Sequence, residues 1–305
     1  MLKLIVSLKL PLIISANLMV LAFFVSHCNN ITGSTFDSAY VDYDYQRTGY
    51  KFYEPAKQME LHNDLVEISG LGVVDDNTLA AVEDETGHVY LLSTEDGSVL
   101  RKIKFGKQGD YEGVELIGDD VYVLKSNGTL YSFKLTRQDE VEAREIETVF
   151  SSKNDLEGLG HDGQSLLIAC KASGNIDGNK VKGKAVYRYY IPGSKLITKE
   201  VVDIEKDQLS AFVNDRSYFN EIRQFDPSAI AKHPISKDIY ILSADHILVI
   251  LSADYQLKEV VKLDKNIYKQ PEGISFASDG TMYISNEGKG GKATLVKLLY
   301  NNIKK

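Results

Sequence analysis

The feature that most constrains this chain is a short step that appears five times. It reads Ile68-Ser69-Gly70-Leu71, Tyr111-Glu112-Gly113-Val114, Leu156-Glu157-Gly158-Leu159, Pro227-Ser228-Ala229-Ile230 and Pro271-Glu272-Gly273-Ile274. Counted between the small residues, the intervals are 43, 45, 71 and 44 residues. About seven to ten residues after each step comes a second apolar run, such as Thr78–Val82, Val121–Leu124, Ile239–Leu242 or Met282–Ile284. Third and fourth runs follow, as in His88–Leu92 and Val99–Ile103. The runs are short, β-branched and aromatic, and are separated by Gly, Asn and Asp turns, which is the pattern of strands.

Four strands in a unit of about 40–45 residues predict an all-β fold, a β-propeller of about five four-stranded blades, with six as the alternative count. The long interval holds one blade with an extended hairpin (172–184) and an insertion (206–225), where the only helical periodicity lies around Gln208 to Ile222. The last unit runs out after its third strand, near Tyr300. Lys57–Leu61, just before the first unit, is expected to supply the missing strand, closing the ring and removing an open edge. The small residue in each step has a steric reason: inner strands crowd near the axis, and a residue without bulk permits close backbone approach.

Ahead of the repeats the sequence changes character. Met1 to Lys9 carries two lysines and no acid, and Leu10 to Val25 is free of charge. This reads as an export signal, short for a comfortable membrane span. Val25-Ser26-His27-Cys28 resembles a bacterial lipobox, with His27 where that pattern has Gly or Ala; it implies a lipidated Cys28. An ordinary cleaved signal and an uncleaved anchor are the alternatives. The expected organisation is a signal over 1–28, a polar tether over 29–49 and a propeller over 50–305. The expected location is the cell envelope, on the periplasmic or outer-surface side, membrane-anchored and monomeric.

Composition narrows the partners. The whole chain carries −8, and losing residues 1–28 removes Lys3 and Lys9, making the remainder two charges more negative. An acidic domain without a basic stripe is unsuited to nucleic acid and better suited to cations. Cys170 sits inside the apolar run Leu166–Cys170 and reads as a small buried hydrophobe without a disulfide partner. His161 and His233 read as surface turn residues. Lys289-Gly290-Gly291-Lys292 lacks the pattern of a phosphate loop, and no G-x-S-x-G step occurs.

Glu67-Ile68-Ser69-Gly70-Leu71, the Glu83–Gly87 turn, Asp110-Tyr111-Glu112-Gly113, and Pro271-Glu272-Gly273-Ile274 with Ser285-Asn286-Glu287-Gly288 together resemble the SdiA-regulated propeller family. The resemblance spans about Leu61 to Leu299 and implies an envelope-located β-propeller. The family is similar in general form to phytase-like and gluconolactonase-like propellers, some of which use metals, an analogy of fold alone.

The candidate chemistry is acidic. In a propeller, Glu112, Glu157 and Glu272 begin the inner strands of three blades and should converge on one mouth of the axial channel. Glu67, Asp110, Asp155 and Asp226 lie beside the same starts. Carboxylates facing one opening repel unless protonated or neutralised by a cation. Oxygen donors favour calcium or magnesium, so the three glutamates are metal-ligand candidates. The competing expectation is that they accept backbone amides of the next blade and lock the ring. Glu67, Glu83, Asp84, Glu85, Lys125, Lys171, Asn286 and Glu287 are ligand-binding candidates at the exits of the inner hairpins. Lys125 and Lys171 are expected to pair with carboxylates, and an ammonium deep among acids could replace a metal. The leading expectation is a non-catalytic propeller binding a small molecule or a protein; the alternative is a metal-dependent hydrolase of phosphoesters or lactones.

Overall fold

The computed structural model describes residues 38–302, apart from residues 177, 217, 218, 220 and 221. The export signal, Cys28 and the first part of the expected tether lie outside the described residues. Among the described residues no helix is long and apolar enough to cross a membrane.

Among the described residues, twenty strands form five antiparallel four-stranded sheets. The first strand, β1 (Lys57–Glu60), belongs to the last sheet. Blade one is β2 (Ile68–Asp75), β3 (Thr78–Glu83), β4 (His88–Ser93) and β5 (Val99–Lys104). Blade two is β6 (Tyr111–Ile117), β7 (Asp120–Lys125), β8 (Leu130–Lys134) and β9 (Arg144–Ile146). Blade three is β10 (Leu156–His161), β11 (Ser165–Cys170), β12 (Lys184–Tyr190) and β13 (Lys195–Ile204). Blade four is β14 (Pro227–Lys232), β15 (Ile239–Ser243), β16 (Ile247–Leu251) and β17 (Leu257–Lys262). Blade five is β18 (Pro271–Phe276), β19 (Met282–Asn286) and β20 (Thr294–Leu298), with β1 as its outer strand.

Each blade's first strand contacts the first strand of the next, and β18 returns to β2, so the five sheets close into a ring. Closure is made by β1 on β20, with Lys57 opposite Lys297 and Met59 opposite Leu295. The expected N-terminal closing strand is therefore present, and the count is five rather than six. Core residues lie between blades: Ile274, Phe276 and Ile284 of blade five pack with Leu242, Leu248 and Val261 of blade four.

The tether reading needs correction from residue 38 onward. Ser38–Thr48 forms a helix, α1, and belongs to the same compact unit as the ring. Its sequence has little amphipathic pattern, and a helix this short is marginal alone. Tertiary contacts hold it. The Arg47 and Arg216 guanidiniums lie 5.4 and 5.2 Å from the Tyr43 ring, and both pair with the buried Glu259 carboxylate of β17. Gly49 ends the helix at φ +83°, and a Cβ there would lie 2.5 Å from the Asn301 carbonyl oxygen. Tyr50 then drops into the core, fully buried. A second helix, α2 (Lys206–Val213), falls in the blade-three insertion and buries Leu209 and Val213.

His233 is also not a surface turn residue. It is fully buried, with its ring 4.9 Å from that of Phe276 and 4.5 Å from that of Tyr300. The local turn sequence is polar, but Tyr50, arriving from the far end of the chain, covers it.

Candidate functional site

The repeated step is a β-bulge. Pairing of each inner strand with its neighbour slips between Ile68 and Gly70, Tyr111 and Gly113, Leu156 and Gly158, Pro227 and Ala229, and Pro271 and Gly273. One residue per blade is thus extra to the ladder, and bulges re-aim such residues. The extra residues are Ser69, Glu112, Glu157, Ser228 and Glu272.

The small residue after each bulge is dictated by the neighbouring blade. A Cβ on Gly70 would sit 2.7 Å from Gly113 Cα, one on Gly113 2.5 Å from Leu159 Cβ, and one on Gly273 2.8 Å from Leu71 Cβ. The expected crowding of inner strands is what these distances show.

The two serines lock the ring. Ser69 Oγ donates to the Tyr111 carbonyl across the blade boundary at 2.6 Å, and Ser228 Oγ donates to the Pro271 carbonyl at 2.8 Å. The glutamates, for which locking was the competing expectation, make side-chain contacts instead. Glu157 Oε1 accepts the Lys171 ammonium. Glu272 Oε1 accepts Gln270 Nε2 at 2.8 Å. Glu112 shares a hydrogen bond with Asp110.

A second row lines the same mouth. Three residues before each small residue stand Glu67, Asp110, Asp155, Asp226 and Gln270. In four blades the carbonyl at this position accepts the N–H of the residue leaving the second strand: Asp84 (3.3 Å), Ser126 (3.0 Å), Lys171 (2.8 Å) and Glu287 (2.9 Å). In blade four Asp226 N–H instead donates to Ser243 Oγ at 3.0 Å and Asp245 Oδ2 at 2.9 Å. These positions therefore carry four carboxylates and one amide, and the ammoniums of Lys171 and Lys184 reach the set through Glu157 and Asp226.

The electrostatics of the mouth follow from burial and like charge. Burial, then Glu157 and Asp110, push Glu112 up to about 9. Burial and Glu272 push Glu157 up to about 8 against the pull of Lys171. Burial, opposed by the Gln270 hydrogen bond and Lys171 and aided by Glu287, leaves Glu272 at about 7. Burial with Glu67, Glu83, Glu85 and Asp110 raises Asp84 to about 6. Burial disfavours the Lys171 ammonium, but its bond to Glu157 outweighs this and holds the lysine above its usual range. Burial and like charge thus favour the protonated form of Glu112, whereas the Lys171 ammonium favours the ionised form of Glu157.

Among the described residues, five buried side-chain atoms at these blade ends lack a hydrogen-bond partner: Asp84 Oδ1, Glu157 Oε2, Gln270 Oε1, Ser285 Oγ and Asn286 Oδ1. Buried polar atoms are almost always satisfied, and four of these five can only accept. Such a set calls for a donor or a cation. Its oxygen donors are of the type that suits calcium or magnesium, but among the described residues no three His, Cys, Asp or Glu side chains are grouped as metal ligands.

Other expected residues play different parts. Glu83 is nearly fully buried and accepts the N–H groups of Glu85 and Thr86, each at 3.0 Å, so it ties its own turn. Glu67 and Glu85 are exposed at the rim. Glu287 Oε2 accepts Gln270 Nε2, and Asn286 Nδ2 donates to Thr294 Oγ1 at 3.2 Å. Lys125 is corrected: its ammonium lies 5.6 Å from the Tyr111 ring centroid, a cation–π contact rather than a carboxylate pair. It stands opposite Tyr111 in the ladder, whereas Lys171 comes one position later, just past the end of β11, and its ammonium turns to Glu157. Gln270 and Ser285 were not anticipated; aligning positions three before each small residue would have drawn out Gln270.

Residues 46–289 match the SdiA-regulated family. The chain belongs to that family. No curated protein matches the sequence. Among solved structures, this SdiA-regulated protein is similar to the luciferin-regenerating enzyme at a TM-score of 0.51 and 9% identity, over 82% of this chain and 97% of that one. Kuenenia stuttgartiensis hydrazine synthase aligns with a TM-score of 0.48 and 14% identity, over 78% of this chain and 84% of that one. The first likeness, at such low identity, speaks to the propeller fold alone.

Proposed function

We propose that this SdiA-regulated protein is a non-catalytic envelope propeller that captures a cationic group at its acidic axial mouth. The observation that carries the reading is the bulge set Glu112, Glu157 and Glu272, in which Glu157 Oε2 is unpartnered, with four further unpartnered atoms in neighbouring blade ends, three of them pure acceptors. A hard metal ion and an ammonium present the same chemistry to these oxygens. The protein acts as a monomer tethered to the membrane through Cys28, a reading supported by the basic start and uncharged run ahead of that cysteine.

Titration calorimetry of the full chain tests the reading with calcium, magnesium and 1,5-diaminopentane in separate arms. Binding of at least one, weakened by Glu157→Gln in a variant that remains folded, is expected. No heat from any of the three overturns it, and metal-dependent turnover of a lactone or phosphoester would replace it with hydrolysis. For the tether, Cys28→Ala is expected to release the protein from sedimented membranes; a variant that still sediments overturns lipid anchoring.

A further inference from the structure

Blade three carries two additions to the common plan, the hairpin at 172–184 and the insertion containing α2. Between them lies a cleft of about 450 Å³, within the size range of small-molecule sites. Close contacts build it. A Cβ on Gly174 would lie 2.3 Å from Val181 Cγ2, and one on Gly183 would lie 2.1 Å from the Ile204 carbonyl oxygen, so both glycines let the additions fold onto the blade.

The cleft's charge runs against that of the protein. Lys182, Lys184, Lys206 and Arg223 line it, and Asp226 is the one carboxylate among its lining residues. Asp226 is already engaged, by Lys184 Nζ at 2.8 Å and by Gln224 Nε2. Lys182 reaches only to 3.9 Å from Glu205, and Lys206 is exposed. A positive cleft in a chain of net −8 is a local arrangement rather than a consequence of composition.

The cleft adjoins the axial mouth. Lys184, in its wall, donates to the Lys171 backbone carbonyl, and the Lys171 ammonium in turn holds Glu157. Asp226, also in its wall, belongs to the same ring row as Asp110 and Asp155. Glu157 is 6% exposed, and its Oε2 is one of the unpartnered acceptors. One continuous chain of contacts thus runs from a cation-seeking carboxylate to an anion-seeking cleft.

We propose that the ligand is a zwitterion, with its ammonium at Glu157 in the mouth and its carboxylate or phosphate between Lys182 and Lys206 in the cleft. This rests on the cation-binding reading of the mouth and adds a second, oppositely charged subsite. Two-point recognition of this kind discriminates against ligands that carry only one of the two charges, because the unmatched subsite stays unpaired.

The test is calorimetry of the full chain with ω-amino acids from 4-aminobutanoate to 8-aminooctanoate, beside diamines and dicarboxylates of matching length and inorganic phosphate. At least one ω-amino acid is expected to bind tenfold or more tightly than the diamine of its length. The double variant Lys182→Gln, Lys206→Gln, which introduces no new charge, should erase that advantage and leave diamine affinity unchanged; Lys206→Gln alone should reduce it in part. Diamines that bind as tightly as every ω-amino acid would overturn the zwitterion while sparing the mouth. Dicarboxylates or phosphate that bind where diamines do not would overturn the reading of the mouth, and the zwitterion with it.

Discussion

The Lys171 ammonium holds one oxygen of Glu157 and leaves the other, Oε2, buried without a partner. Half of this carboxylate is therefore neutralised from within the protein, and half is left without a partner. Removing Lys171 takes away the internal half. Lys171→Met is expected to destabilise the fold by about 1–3 kcal/mol, the cost of leaving a buried charged partner unmatched. The double variant Lys171→Met, Glu157→Gln should recover part of that loss. Urea unfolding of the four members of the cycle checks it, and strictly additive losses would mean the two groups are uncoupled.

Gly113 sets how closely blades two and three approach. Gly113→Ala places a methyl 2.5 Å from Leu159 Cβ and 3.3 Å from the Glu157 carbonyl oxygen. Neither inner strand can retreat without opening the ring, so a loss of about 1–3 kcal/mol is expected. A unchanged urea midpoint would show that the inner strands are not in fixed contact.

Glu112 makes stability depend on pH from the acid side upward. Its carboxyl is raised from an ordinary value of 4.5 to about 9 by burial and by Glu157 and Asp110. The folded state thus binds a proton more tightly than the unfolded chain, and this contribution is complete below about 4.5 and lost as pH rises toward about 9. Glu112→Gln should flatten the fall in melting temperature between pH 5 and pH 9. A variant with the slope of the unaltered protein would contradict the assignment.

His233 acts in the opposite sense. Its Nδ1 accepts the N–H groups of Ile235 (3.1 Å) and Ser236 (3.0 Å), which leaves the proton on Nε2. Nε2 lies 2.7 Å from Tyr50 Oη, and that hydroxyl donates to the Gly280 carbonyl at 2.5 Å. Burial depresses the imidazole to about 4, with Asp238 opposing and Lys237 and Lys258 assisting. Stability from this group is complete above the unfolded value of about 6.5 and lost as pH falls toward about 4, by about 3 kcal/mol in all. His233→Gln should remove that slope between pH 6.5 and pH 4 in difference melting curves, and parallel curves would refute it.

Glu259 clamps α1 through Arg47 and Arg216. Glu259→Gln is expected to speed hydrogen exchange of the α1 amides by about tenfold, through local opening that leaves the blades intact. Exchange unchanged in α1, or faster throughout the ring, would argue against a clamp confined to the helix.

Several of these residues mark where sequence reading succeeds and where it stops. The shared bulge position of Glu112, Glu157 and Glu272 was legible because a bulge repeats its local sequence in every blade, and the small residue after it records a contact with the next blade. Lys125 and Lys171 looked equivalent because both end apolar runs. A one-residue difference in ladder position separates them, and register is a property of paired strands. Helix α1 left little trace because its stability comes from Glu259, more than two hundred residues away. His233 looked exposed because its lid, Tyr50, arrives from the other end of the chain.

Periodic spacing, strand-forming runs and an unfinished last unit were enough to specify a closed ring of about five blades, because local chemistry and chain length dictate those choices; the structure decided five over six. Which bulge residues bind their neighbour and which remain unsatisfied was decided only on closure of the ring. So was the meeting of a basic cleft with an acidic mouth. Those outcomes depend on burial and on charges brought together from distant positions, and both come into being only when the blades assemble.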